Sequence, residues 1–453
     1  MRTAAILATL MALHGLLAIF YAGVTPYRSP GILLGQRDPK TGLPQPVPDV
    51  GAPDERQHAN YVQHLLDTGT FPVFRPGDPN LIETYQSHQT PAYYILAVGW
   101  AKLCGVRDVA APEGRRLRYL NALLGMGTVA GVFFMGVWGT GRKGLALTAA
   151  GFAALLPMLI ALDSAITNDS LLYLSVTWTV GVAALCAEHG WTWRRAMLLG
   201  ALAGLACLSK TSAITVLPVL VVAGLIPARR RWPMLLACIA LACLIALPWW
   251  LRNARLYGDA LGIQVFQQGF TGSPRTADLV AGVGPVDYWL NWFAWWTARS
   301  FIGAFGYMDI FVNGTGLPMS TRDPNTLYRL LIAAGIALAA AGLYGLKRTD
   351  VKAHWRPHVV CAFFGLLVFA GFLRFNLTYF QAQARYIIPV IGPIALLLAL
   401  GLLTLAPRKK VLAAATMCAV LLALNVYVLG RLPDEFARRT TPIGSPTVAD
   451  RPG

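Results

Sequence analysis

Apolar runs close to bilayer-spanning length recur along this chain from residue 3 to residue 430. A helix needs about 20 consecutive apolar residues to cross the hydrocarbon core. Only helices or closed barrels satisfy their own backbone hydrogen bonds there. A membrane barrel would show short alternating strands instead. Of the 453 residues, 56% are hydrophobic and 13% are charged. The pattern predicts an all-α polytopic membrane protein. Much of the net charge of +17 lies in short loops between apolar runs. There it orients the chain and meets anionic lipid, and it does not point to nucleic acid. The seven cysteines lie in or beside apolar segments without metal-ligand spacing, so they read as small core residues. Arg2 precedes an apolar run over 3–23 that is longer than a signal-peptide core, which predicts a retained first helix.

The positive-inside rule sets the topology. The first helix leaves its N-terminus inside, and residues 24–88 lie outside. The apolar stretch from Thr90 to Cys104 is about 15 residues, short for a span, and is read as a helix dipping into the outer interface. If it does not cross, the basic loops at Arg142-Lys143, Arg194-Arg195, Arg229-Arg230-Arg231, Lys347-Arg348 and Arg408-Lys409-Lys410 all fall inside. If it crosses, they all fall outside. The rule selects the first case. Spans are then predicted at 117–139, 144–162, 170–187, 195–209, 212–226, 233–250, 327–346, 358–374, 386–405 and 411–430. With the first helix this makes about eleven crossings. The chain divides into a transmembrane module over 1–250 with a first outer loop at 24–115, an outer loop at 251–326, C-terminal transmembrane helices at 327–430 and an outer tail at 431–453.

The outer side collects a set of polar residues. In the first loop, Pro53-Asp54-Glu55 begins a short helix that carries His58 and Tyr61 at helical spacing from Asp54. A carboxylate pair at the lip of a bundle can take a proton from a hydroxyl or hold a divalent cation. The plain alternative is a capped surface helix with solvated charges. Asp163 and Asp169 sit at the outer ends of neighbouring spans, in a loop free of Lys and Arg. Lys210 occupies a tight outer turn, Arg252 follows Trp249-Trp250, and Arg385 precedes the helix starting near Ile387. Isolated charge beside apolar helices is costly, so these residues pair or face a wet cavity. Each also has a structural reading: Asp163 and Asp169 as helix caps, Lys210 as a snorkelling side chain, Arg252 as an interfacial anchor, Arg385 as a structural ion-pair partner, and His58, Tyr61 and His88 as packing. The aromatic run over 288–296 marks a membrane interface or an apolar wall for a lipid tail.

Placed in order, these segments resemble the GT-C superfamily of integral-membrane glycosyltransferases, in particular protein O-mannosyltransferases and aminoarabinose-lipid transferases. The resemblance is carried by Pro53-Asp54-Glu55 with His58 and Tyr61, by His88-Gln89-Thr90-Pro91-Ala92-Tyr93-Tyr94, by Asn168-Asp169 and by Leu208-Ser209-Lys210-Thr211. Pro248-Trp249-Trp250-Leu251-Arg252-Asn253, Arg299-Ser300-Phe301 and Gln383-Ala384-Arg385-Tyr386 extend it. The chain departs from the family pattern at Gln89-Thr90, where prolines are frequent, and at Ala384, where glycine is frequent.

The resemblance implies a GT-C-like bundle of about eleven transmembrane helices with outer juxtamembrane helices. It implies transfer of a sugar from a polyprenyl-phosphate carrier to a lipid, glycan or protein acceptor. The expected setting is a bacterial inner membrane, with the site on the outer face. A lipid phosphate needs cations at headgroup depth, and Lys210, Arg252 and Arg385 are the candidates. Asp54 is the candidate base, with Glu55 and Asp169 orienting the acceptor. Asp54 and Asp169 are also the candidates to hold a divalent cation, magnesium or manganese. His58, Tyr61, His88 and Tyr93 are expected to line the acceptor and donor pocket. Two other readings use the same residues: a transporter or flippase for lipid-linked sugar, and a non-catalytic membrane scaffold.

Overall fold

The computed structural model describes residues 2–37, 42–227, 231–271, 275–312, 314–315, 326–347 and 353–440. Arg229, Arg230, Arg348 and the tail residues 441–453 lie outside the described residues. The architecture is a helical membrane bundle with two small antiparallel sheets, one pairing Gly31–Arg37 with Pro44–Val47 and one joining three two-residue strands over 304–315. Among the described residues, eight helices are long and apolar enough to cross a membrane.

Every segment expected as a span contains helix. Arg118–Thr140 and Asp169–His189 pack against each other at the centre, and the latter is the most buried of the eight. Close approach is bought with small residues, the usual device where lipid gives no hydrophobic drive between helices. A methyl group on Gly401 would collide with the backbone carbonyl of Leu338, and one on Gly342 with that of Leu397. These two glycines set the spacing of Thr326–Gly345 against Ile391–Leu405.

The span expected over 212–226 opens with a 3₁₀ turn over Thr211–Thr215 before the helix Val216–Leu225, and four further elements differ from simple spans, each for a local reason. The segment 144–162 breaks into Lys143–Leu155 and Pro157–Leu162, because Pro157 lacks an N–H and holds Leu156 extended at φ −69°, ψ 115°. The span expected over 386–405 begins with two short 3₁₀ turns around Pro389 and becomes α-helical only at Ile391. Trp232–Tyr257 runs past residue 250, so Arg252 and Asn253 stand on its last turns. Lys410–Thr440 runs past residue 430, because Leu432, Glu435, Phe436 and Arg439 keep a buried helical stripe. Arg439 there meets Asp309 at 2.9 Å and Glu435 at 2.9 Å.

Ala92–Leu103 has 12 residues, a length of about 18 Å, well short of the hydrocarbon core. It packs along Glu55–Thr68, with Tyr61 stacked on Tyr94 at 3.6 Å between ring centroids. The aromatic run over 288–296 is a wide π-type turn followed by helix. It turns Tyr288, Phe293, Trp295 and Trp296 inward, so it is as much core as interface.

The helix directions sort the loops. Asp169–His189 starts beside Lys210, and Trp193–Ser209 returns the chain to it. The loops holding Arg142, Arg194, Arg231, Lys347 and Arg408 therefore gather at the opposite end of the bundle.

Candidate active site

Asp54 stands just before the helix Glu55–Thr68 with φ 60° and ψ 0°. This left-handed turn is tolerated by Asp better than by most side chains, and it swings the carboxylate away from the capping position. Its Oδ1 accepts from the Tyr85 hydroxyl at 2.5 Å, and its Oδ2 accepts from the Arg385 guanidinium at 2.8 Å. Burial pushes the Asp54 carboxyl up, but Arg385 and the Tyr85 hydrogen bond outweigh it and hold the group down at about 2. A second pair lies alongside: Lys210 Nζ donates to Asp169 Oδ1 at 2.5 Å. Tyr386 lies beside both cations, and its hydroxyl accepts from Arg385 at 3.1 Å. The Tyr173 hydroxyl holds the Arg385 carbonyl at 3.0 Å. Arg385 Nε is buried and has no hydrogen-bond partner among the described residues.

Asp169, Lys210 and Arg385 head a cavity of about 400 Å³, and Asp54 stands behind Arg385, outside the lining of this cavity. Its polar end carries His88, Gln89, Asp169, Lys210 and Arg385, and its walls are apolar, among them Leu172, Val176, Phe364, Leu367 and Phe372. A smaller cleft of about 30 Å³, lined by Pro53, Ser164, Thr167 and Met308, reaches Asp169 and Arg385 from another side. His88 closes the polar end. Its Nδ1 hydrogen-bonds the Tyr85 carbonyl at 2.6 Å, and its Nε2 accepts from Gln89 at 3.1 Å. Burial lowers the His88 pKa to about 4, so the ring is neutral. Gln89 in turn accepts from Asn168 at 3.1 Å, which ties the two outer loops together.

The expected site residues thus separate. Asp54, Asp169, Lys210, Arg385 and His88 converge. His58, Tyr61 and Tyr93 stand behind them as a buried backing. His58 Nδ1 bonds the Tyr94 hydroxyl at 2.8 Å, and Tyr93 donates to Asn121 at 2.7 Å. Burial pushes His58 down to about 3, a neutral packing state. Arg252 points elsewhere, donating to the Pro72 carbonyl at 2.8 Å and stacking on Trp249 at 4.5 Å. Glu55 is fully buried in a fork with Arg118, at 2.7 and 2.6 Å, and accepts from the Ile166 amide at 2.9 Å. Arg118 also donates to the carbonyls of Ala22, Thr25 and Pro26, so the pair clamps the first helix to the first loop. Asp163 is buried against His14 at 3.1 Å.

Tyr85, Arg118, Tyr386 and Asn168 complete this arrangement, and none of them was given a site role from sequence. Tyr386 and Asn168 belong to the motifs that hold Arg385 and Asp169, which is the signal they carry, and Tyr85 and Arg118 carry none. A divalent cation finds no ready donor set. Among the described residues no three His, Cys, Asp or Glu side chains converge. Asp54 and Asp169 already carry Arg385 and Lys210.

Residues 90–250 match the family of dolichyl-phosphate-mannose-protein mannosyltransferases. No curated protein matches the chain. Among solved structures, an oligosaccharyltransferase from Archaeoglobus fulgidus, crystallised with Zn and sulfate, superposes with a TM-score of 0.55 at 13% identity, covering 94% of this chain and 53% of that one. ArnT from Cupriavidus metallidurans in the apo state gives a TM-score of 0.56 at 15% identity, covering 91% and 62%. ArnT bound to undecaprenyl phosphate gives 0.52 at 14% identity, covering 96% and 78%. The chain spans little more than half the length of the oligosaccharyltransferase and about three fifths that of apo ArnT. The protein is a multi-pass integral membrane protein with the fold of the GT-C superfamily of glycosyltransferases.

Proposed function

We propose that this chain is a glycosyltransferase that moves a sugar from a polyprenyl-phosphate carrier to an acceptor hydroxyl. The observation that carries the reading is the placement of Lys210 and Arg385 at the head of the apolar cavity, each with donors to spare. Lys210 has two N–H bonds beyond the one to Asp169, and Arg385 Nε has no partner among the described residues. A lipid phosphate brings both features such a cavity accepts, a chain for its walls and an anion for its head. Similar structures hold such carriers, dolichol-phosphate in an archaeal oligosaccharyltransferase and undecaprenyl phosphate in ArnT, which supports the reading.

The chemistry follows from the two pairs. The acceptor oxygen attacks the anomeric carbon as the carbon–oxygen bond to phosphate breaks, and the carrier leaves as a phosphate. Lys210 and Arg385 stabilise that leaving charge. Asp54 takes the acceptor proton. In the resting site Asp54 is a weak base, held down at about 2 by Arg385. Phosphate competes for the same guanidinium. Carrier binding therefore loosens Arg385 from Asp54 and raises the carboxylate toward its ordinary range, so basicity appears when the donor is in place. No step is routed through a metal. The small cleft at Pro53, Thr167 and Met308 is the assigned acceptor approach. The domain reading places this chemistry in the module over 1–250, completed by Arg385 from the C-terminal helices. The setting is a bacterial inner membrane, with the site on the outer face, opposite the basic loops.

The test is reconstituted protein given a polyprenyl-phosphate sugar and candidate acceptors. Release of free polyprenyl phosphate with formation of a glycoside supports the reading. An intact sugar lipid moved across the bilayer would replace it with the transporter reading.

A further inference from the structure

A second cavity, of about 240 Å³, lies at the other end of the bundle. The helix Asp169–His189 touches both sites: Asp169 lines the first and Ala184 lines the second. Fifteen residues of helix, about 22 Å, separate them. The walls of the second cavity are apolar, with Met135, Leu343, Leu397 and Leu400 among them. Leu343 is also 58% exposed on the bundle surface, so the cavity opens toward lipid. Its rim is polar, with the cation Arg142 beside His358 and with His354, whose Nδ1 meets the Glu188 carboxylate at 2.7 Å. His358 Nε2 is buried without a hydrogen-bond partner among the described residues.

Water does not fill an apolar gap of this kind, whereas a hydrocarbon chain does. A ring nitrogen left without a partner beside the Arg142 cation calls for an anion. We propose that this cavity binds one anionic glycerophospholipid, with an acyl chain between the helices Thr326–Gly345 and Trp355–Asn376 and its phosphate at His358 and Arg142. Charge complementarity favours this occupant over a zwitterionic lipid, because the same end carries the basic loops and so gathers anionic headgroups. It also favours it over the carrier, whose reacting phosphate belongs at the Asp54 end. The helix Trp355–Asn376 lines both cavities, through Ala362 and Gly365 on one side and Phe364 and Leu367 on the other. The bound lipid thereby braces a wall of the donor cavity.

The test is native mass spectrometry of full-length protein equilibrated with phosphatidylglycerol or phosphatidylcholine. Wild type is expected to retain one phosphatidylglycerol in preference to phosphatidylcholine. His358→Leu, which removes one ring nitrogen left to hydrogen-bond the phosphate, is expected to weaken that retention about fivefold, the worth of about one hydrogen bond. Ala362→Phe, which fills the cavity, is expected to abolish it, with folding checked by thermal unfolding. Lys210→Met is expected to leave it intact. Equal retention of the two lipids, or loss in Lys210→Met with none in His358→Leu, would overturn the proposal. Displacement of the lipid by undecaprenyl phosphate in wild type but not in Ala362→Phe would also overturn it, by making the carrier the occupant.

Discussion

Arg385 donates to the Asp54 carboxylate at 2.8 Å across 331 residues of sequence. The contact joins the first outer loop to the turn before the helix Ile391–Leu405. It makes base and phosphate ligand partners of one another. Removing either is therefore expected to change the other.

Asp54→Asn keeps the size and removes the basicity. Turnover is expected to fall roughly 10²-fold or more, the range for loss of a general base. Carrier affinity is expected to hold or to rise, since Arg385 is released for phosphate. Unchanged turnover with weakened carrier binding would make Asp54 a structural partner of Arg385.

Tyr85→Phe deletes the 2.5 Å hydrogen bond to Asp54 while keeping the ring against Phe270. A hydrogen bond to a charged group contributes about 1.5–3 kcal/mol. The Asp54 pKa is expected to rise, and turnover to fall about tenfold or more as the carboxylate loses its orientation. A pH–rate profile identical to wild type would contradict this.

Glu55 and Arg118 are both buried with no side-chain exposure. Breaking such a pair leaves an unpaired charge, at a cost of about 3–5 kcal/mol. Glu55→Gln is thus expected to lower thermal stability sharply, while turnover per folded molecule changes little. Loss of turnover at unchanged stability would return Glu55 to the chemistry.

Adjacent carboxylates in one motif have divided their work here, and the sequence does not say how. Glu55 and Asp54 look alike in Pro53-Asp54-Glu55, and the partner of each lies far along the chain. Arg118 reads locally as one more interfacial cation after Arg115 and Arg116. The helices were legible because bilayer thickness imposes their length and apolarity. Lys210 and Asp169 were legible because charge at apolar helix ends demands a partner, and they supply it to each other at 2.5 Å. Helix overruns at Tyr257 and Thr440 were not, because polar stripes continue there on tertiary contacts. Arg252 illustrates the limit. Its sequence setting matches that of a phosphate ligand, but Trp249 and the Pro72 carbonyl take it.

Acid stability carries a sign that can be checked. His58 and His88 are held at about 3 and about 4, below an unfolded value near 6.5. The unfolded chain binds more protons between those values, so stability is full above about 6.5 and falls as pH drops toward 4. Asp54, held at about 2, adds the same sign below its unfolded value of 3.8. Asp49, which burial raises to about 6, opposes them between 3.8 and 6. Thermal unfolding from pH 7 to pH 4 is expected to show declining stability, flattened in His58→Gln with His88→Gln. An unchanged slope in that double variant would contradict the assignment.

Sidedness follows from the gathered basic loops. Thr70 and Lys143 are both exposed, at opposite ends of the bundle. Thr70→Cys is expected to react with an impermeant thiol reagent in intact cells, and Lys143→Cys to resist it. The reverse pattern would turn the site inward.

The central claim is that Lys210 and Arg385 hold the carrier phosphate. The most direct measurement is the affinity of the purified protein for undecaprenyl phosphate, in wild type, Lys210→Met and Arg385→Met. Each loses one charge-assisted contact, so each is expected to bind about tenfold to a hundredfold more weakly, with thermal stability reported alongside. Wild-type affinity in both folded variants would contradict the account.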